Sequence, residues 1–291
     1  MFSIISDGAC DFTEEQVKKS NIEVVPFYIT FDGTNYLKEG IDIGIDEYFE
    51  KIKADKTLFP KTSQPNPQDY IDVAQPHLEA GKDIIILTVS SKLSGSYNSA
   101  VIASDTLKDD FPDRKIMIID SLSATVGQAL ILREIIAMRD AGFDVEKATE
   151  KAKKIVLTTK IYFTLDTLEY LKKGGRVGPT TALVGGLLAL KPVLQILNGE
   201  VSQLDSVRGQ KRVIGLIVEG LEGALKGNID KVNVAIGHIV RPDDVADFQK
   251  QVEDVLDIKI NTSVVRVGVA IGAHAGPGGL VVAYAAKYTS V

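Results

Sequence analysis

The chain has 291 residues, 45% of them hydrophobic, which is enough for one large or two ordinary domains with a substantial core. Its net charge is −6, and the basic clusters Lys172, Lys173, Arg176 and Arg208, Lys211, Arg212 are too short to track a phosphate backbone, which argues against nucleic-acid binding. The one cysteine, Cys10, permits no intramolecular disulfide, and the opening MFSIISDGACDF lacks the basic start and long apolar run of a secretory signal, so a cytoplasmic setting is expected.

The first informative segment is TSQPNP at 62–67. Asn66 suits a helix N-cap and Pro67 the first helical position, with Tyr70, Ile71 and Ala74 on the buried face. The hydroxyls of Thr62 and Ser63 either face a cleft as donors or belong to an ordinary polar turn. Residues 84–89 form an apolar run of strand length broken only by Thr88, and SSKLSGSYNS follows at 90–99. A loop placed after a strand and before a helix lies where α/β sheets bind ligands. Five serines around Gly95 supply donors with little bulk, more than a plain connection requires. A second strand at 116–119 leads into Val126, Ala129, Leu132, Ile135 and Ile136 at helical spacing. Val145, Ala148, Ala152 and Ile155 make another helical stripe. Strands alternating with helices predict a parallel, buried sheet.

Near residue 160 a helix is expected to end and a new run to begin, which divides the chain into α/β domains over 1–160 and 161–291. The longest uncharged stretch, 177–190, has 14 residues, short of the roughly 20 that a spanning helix needs, so no membrane span is expected. Residues 232–236 and 264–269 resemble buried strands, separated by the helical stripe Val245, Phe248, Val252 and Val255. IGAHAGPGG at 271–279 sets four glycines around His274, which lets backbone approach something closely or simply makes a tight turn. Residues 280–285 form a closing strand.

Phosphate-loop, dinucleotide, zincin and nucleophile-elbow signatures are absent. The three histidines, His77, His238 and His274, and one cysteine make a poor zinc site, and no metal or cofactor is expected. Ser94 and His274 could still meet in space, so a serine esterase or acyl transferase is the alternative to a protein without catalysis.

Taken together, TSQPNP at 62–67, LSGSYNSA at 93–100, Asp120–Ser121 with Gly127, LEYLKKGGRVG at 168–178, Lys191–Pro192 and GAHAGPGG at 272–279 resemble the DegV family, whose members include the fatty-acid-binding FakB proteins. The resemblance runs from Ser6 and Asp7 almost to the C-terminus, in family order. Gly8 departs from it where a hydroxyl residue is usual, Asn66 where Ser or Thr is common, and Ser96 where Thr is common. The resemblance implies two α/β domains, the first with a largely parallel sheet similar to that of dihydroxyacetone kinase, and a ligand tunnel between them. It implies a bound long-chain fatty acid and no catalysis. The carboxylate site maps onto Thr62, Ser63, Ser94, Gly95, His274 and Gly276. Arg176, in the Gly-Gly-Arg motif, and Arg208 look like arginines that dock a partner fatty acid kinase. Arg176 also sits in a segment that reads as an exposed helix end, with its charge out of reach of an apolar tail. The uncharged stretch 177–190 is a candidate wall for that tail.

Overall fold

Two sheets face each other across one shared core. A computed structural model of the chain describes residues 1–177, 190–262 and 264–291. The apolar run IIILT folds as the strand Ile84–Thr88, buried along its whole length. It is flanked by Ser3–Asp7 on one side and Ile116–Asp120 on the other, with Glu23–Val25 at the edge, and all four strands run parallel. Alternate side chains leave the sheet in opposite directions. Ile5, Ile84 and Ile86 meet Tyr70, Ala74, Ala100 and Leu107 on the helices Pro67–Glu79 and Ser96–Asp110. Ile4, Ile85 and Leu87 instead meet the helices Thr125–Asp140 and Val145–Thr158, which carry the apolar stripes that the sequence predicts. The helix Pro67–Glu79 starts with a capping box: the Asn66 side chain accepts from Asp69 N, and the Asp69 side chain accepts from Asn66 N.

The second sheet has six strands in the order Glu200–Arg208, Leu190–Leu197, Lys160–Leu165, Gly279–Ala286, Val232–Ile239 and Val265–Arg266. Its pairings are antiparallel except the last. One face carries Ile161, Leu165, Ile196 and Val281 toward the first sheet's helices. The other packs on the helices Gln210–Leu225 and Pro242–Leu256. A small antiparallel sheet of Leu37–Lys38, Tyr28–Thr30 and Lys61–Ser63 places Thr62 opposite Ile29.

Several local expectations change. The helix at 145 ends at Thr158, and Lys160 already belongs to a strand. The predicted strand over 264–269 is only Val265–Arg266, and a helix, Val269–Ala275, begins directly after Gly268. His274 therefore rides on a helix rather than in a glycine loop. The cause is capture of the first backbone N–H groups by two carboxylates: Asp11 accepts from Gly268 N, and Glu39 accepts from Val269 N and Ala270 N. A helix start offers such free donors together. Gly272 then lets the Phe49 ring close against the helix, since a Cβ there would stand 2.6 Å from that ring.

The hairpin formed by Leu190–Leu197 and Glu200–Arg208 turns through Asn198 and Gly199, both at positive φ (51° and 87°), as a two-residue I′ turn requires. Its tip is fastened to the first sheet's loop, with Ser90 Oγ donating to Gly199 O at 2.7 Å. The candidate tunnel wall at 178–189 lies outside the described residues.

Candidate functional site

Between the two sheets lies a cavity of about 900 Å³, mouth included. Phe27, Val89 and Ala124 wall it from the first sheet's side, and Ile161, Phe163, Ile196, Val201 and Val281 from the second. Among the described residues Arg176 is the only charged side chain that lines it apart from the titratable His274.

The polar groups converge at one end. Thr62 Oγ1, on the strand Lys61–Ser63, is 2.7 Å from His274 Nε2, in the last turn of Val269–Ala275. Burial foremost, and then the nearby Arg176 charge, pushes the His274 imidazole down to about 4. It is therefore neutral at pH 7, with one nitrogen donating and the other accepting. Its Nδ1 packs on the Gly174 backbone, where an added Cβ would come within 2.3 Å. The first glycine of the Gly-Gly-Arg motif is thus required by the imidazole, and the second, Gly175, ends the helix Glu169–Gly174 at φ 66°.

Arg176 corrects an expectation. Its side chain is half-buried at the cavity mouth, where Nε donates to Leu93 O at 3.1 Å and Nη1 to Gly174 O at 2.6 Å. Among the described residues no carboxylate lies within ion-pair distance of it. Through Leu93 the guanidinium is tied to the loop that carries Ser94, which also lines the cavity. Ser94 Oγ accepts from Ser96 N at 3.2 Å.

Of the loop's five serines only Ser94 lines the cavity. Ser90 holds the hairpin tip. Ser96 Oγ donates to the buried Asp7 at 2.6 Å and contacts Tyr70 OH at 2.7 Å. Asp7 also accepts from Val89 N at 2.9 Å and Gln128 Nε2 at 2.9 Å, and burial raises its carboxyl above the ordinary range. This network shapes the loop and does not face the cavity.

Gly95 lies beside the site: a Cβ there would stand 3.0 Å from the Gln64 amide, which itself lines the cavity. Sequence reasoning did not single out Gln64, although it sits inside TSQPNP beside Thr62. Ser63 Oγ turns toward Gln64 O at 3.5 Å and does not line the cavity. The amide of Gly276 is committed to Gly272 O at 2.8 Å, and the Tyr170 ring packs where a side chain would be. Arg208 ends its strand exposed and away from the cavity.

A second depression of about 730 Å³ opens beside the polar end. It shares Thr62, Arg176 and His274 with the cavity and adds Lys61, Lys173, Phe59 and Tyr170. The arrangement can cradle an anionic head group with hydroxyls, an amide, an imidazole and a guanidinium while its apolar remainder lies in the cavity. A Ser-His hydrolase is poorly served: His274 bonds Thr62 rather than Ser94, and among the described residues its Nδ1 has no hydrogen-bond partner to orient it.

The DegV family model matches residues 1–287. The chain belongs to the DegV family. A DegV domain-containing protein of Caldanaerobacter subterraneus is 31% identical over 278 residues, covering 94% of this chain and 95% of its own. A stearic-acid-binding protein from Eubacterium ventriosum has 33% identity and a TM-score of 0.95, with both chains covered in full. A fatty-acid-binding DegV protein from Thermus thermophilus has 26% identity and a TM-score of 0.88, covering 98% of this chain and 99% of its own. Within this DegV chain, some of the matched motif residues secure the fold rather than line the cavity. Lys191 pairs with Asp166 at 2.7 Å, and Gly278 O accepts from Asp166 N at 2.8 Å. No helix among the described residues is long and apolar enough to cross a membrane.

Proposed function

We propose that this chain binds one long-chain fatty acid, with the tail in the cavity and the carboxylate at Thr62, Ser94 and His274, and presents that carboxylate to a fatty acid kinase for acyl-phosphate formation. The observation that carries the binding half is the cavity: an apolar wall drawn from both sheets, with its polar donors gathered at one end. The Eubacterium ventriosum and Thermus thermophilus relatives, described as binding stearic acid and fatty acid, support the same reading. Burying roughly 14 methylenes at about 0.8 kcal/mol each gives a gross gain of about 11 kcal/mol. Ordering costs of several kcal/mol oppose it. The tail alone therefore supports tight binding, and the head-group contacts fix orientation. No cofactor enters this reading, and the protein itself breaks no bond.

The open depression beside the head group supports presentation, because it leaves a route to the carboxylate from solvent. Its position at the junction of cavity and depression leads us to assign Arg176 to the head group as well as to the approach surface. Arg208, exposed and away from the cavity, is left to the partner. Organic extraction of the purified protein followed by mass spectrometry tests binding, and no stoichiometric acyl species would overturn it. Arg208→Ala tests presentation: fatty-acid affinity stays within about twofold while phosphorylation by the kinase falls, since arginine is a frequent interface hot spot. Unchanged phosphorylation would remove Arg208 from the docking surface.

A further inference from the structure

Glu39 and Asp11 lie outside the head-group site, yet these partly exposed residues bury carboxyl oxygens at the start of the helix that carries His274. Glu39 Oε1 accepts from Val269 N and from Ala270 N at 3.2 Å, and Asp11 Oδ1 accepts from Gly268 N at 2.9 Å. A Cβ on Gly268 would stand 2.6 Å from the first oxygen and 2.7 Å from the second, so the two carboxyl groups are close neighbours. Of their other oxygens, Glu39 Oε2 is buried without a hydrogen-bond partner among the described residues, and Asp11 faces the Thr125 hydroxyl. Glu39 Oε2 points to Gly8, where a Cβ would be 3.1 Å away.

Among the described residues the groups facing this pair include Asp7 from the strand Ser3–Asp7, the Cys10 thiol beside Asp11, Thr125 from Thr125–Asp140 and Tyr48 from Ile45–Ala54. None of these four is a cation. Along the helix, His274 lies about 9 Å beyond Gly268. The Phe49 ring at Gly272 and the Tyr170 ring at Gly276 close the helix in, so a shift of its first turn is passed to the imidazole.

We propose that Glu39, backed by Asp11, is a positioning residue for the head-group site: it anchors the first turn of the helix carrying His274 and makes that anchorage weaken as pH rises. The proposal rests on the fatty-acid reading above. Below neutrality the pair retains protons, and a neutral carboxyl group still accepts from the helix N–H groups through its carbonyl oxygen. Burial foremost, and then the Asp7 charge, pushes the Glu39 carboxyl up to about 7, while burial raises Asp11 well above its ordinary range. Ionisation in place sets like charges together without a cation, and hydrating them requires the helix start to withdraw. Glu39 therefore favours the anchored state fully below about 4.5, and that preference is lost as pH rises through about 7. His274, already neutral throughout, contributes no inflection in this range.

The test is the affinity for cis-parinarate between pH 5.5 and 8, in the wild-type chain and in Glu39→Gln, which keeps the acceptor oxygen without the charge. The ratio of wild-type to variant affinity cancels the ligand's own ionisation. We expect that ratio to fall three- to tenfold with an inflection near pH 7. A constant ratio would overturn the proposal while leaving fatty-acid binding standing. No cis-parinarate binding by either protein at any pH would overturn both. If Glu39→Gln does not fold, hydrogen exchange of the wild-type Val269 and Ala270 amides decides: protection, corrected for intrinsic rates, must drop above pH 7, and unchanged protection refutes the anchorage.

Discussion

Thr62, Ser94 and His274 offer the proposed ligand hydrogen bonds without a formal charge, so these three leave no unpaired charge of their own. Arg176 differs, because its guanidinium is desolvated and has no carboxylate within ion-pair distance among the described residues. Replacing Ser94 or Thr62 by Ala should each cost about 1–3 kcal/mol of affinity, the range for losing one partner of a buried polar contact. Arg176→Ala should weaken fatty-acid binding at least fivefold, in the direction expected for removal of a charge-assisted donor. Fluorescence titration of the three variants measures all of this. Unchanged affinity in the Ser94, Thr62 double variant would place the head group elsewhere, and unchanged affinity in Arg176→Ala would return that arginine to partner docking alone.

The helix Val269–Ala275 is seven residues long, and its position is set at both ends by contacts that tolerate no bulk. At its C-terminal end Gly276 has φ 74° and ψ 176°, a region essentially reserved for glycine, with the Tyr170 ring 2.3 Å from where a Cβ would be. Gly276→Ala should therefore destabilise the fold by about 2–4 kcal/mol, read from the midpoint of chemical denaturation. A variant of wild-type stability would mean that the ring moves freely aside. This element also shows where sequence reasoning stopped. The first sheet was legible because its strands are continuous apolar runs and its helices carry clean stripes, as at 84–89 and 145–155. Asn66 and Pro67 announced a cap by residue type alone. The helix at 269 was not legible: its start depends on Asp11 and Glu39, which lie more than 200 residues away in sequence. The hairpin at 190–208 did carry a readable signal in Asn198–Gly199, but its second strand is mostly polar and half-exposed, which hides the alternation. Thr62, Ser94 and His274 were legible through their motifs, whereas the inward turn of Arg176 follows from Leu93 O and Gly174 O, which no spacing announces.

Across the whole molecule, the cavity replaces part of the core between the sheets, so ligand and fold are thermodynamically linked. Delipidation should lower Tm, and adding back fatty acid at about 100 times Kd should restore about 2.7 kcal/mol. A Tm indifferent to lipid would mean that the apolar cavity is not the binding site. Glu39 adds a second dependence. Its carboxyl, at about 7 in the fold against an ordinary 4.5, lends stability below 4.5 that is lost as pH rises through about 7. Wild-type stability relative to Glu39→Gln should decline over that window and then level, as denaturation at pH 5 and pH 8 would register. The hairpin bears on time rather than on equilibrium. Ile196 and Val201 line the cavity, and the tip between them is fastened to Ser90 in the loop that carries Ser94. On the proposed fatty-acid reading, we expect the tail end of the acyl chain to be held in place by this hairpin, so that parting Gly199 from Ser90 sets the pace of exchange. In Gly199→Ala the new methyl would lie 2.6 Å from Ser90 Oγ and push that contact open. Loading and release should both quicken severalfold in stopped-flow measurements while Kd barely moves, so that the proposed ligand would be held as tightly but for a shorter time.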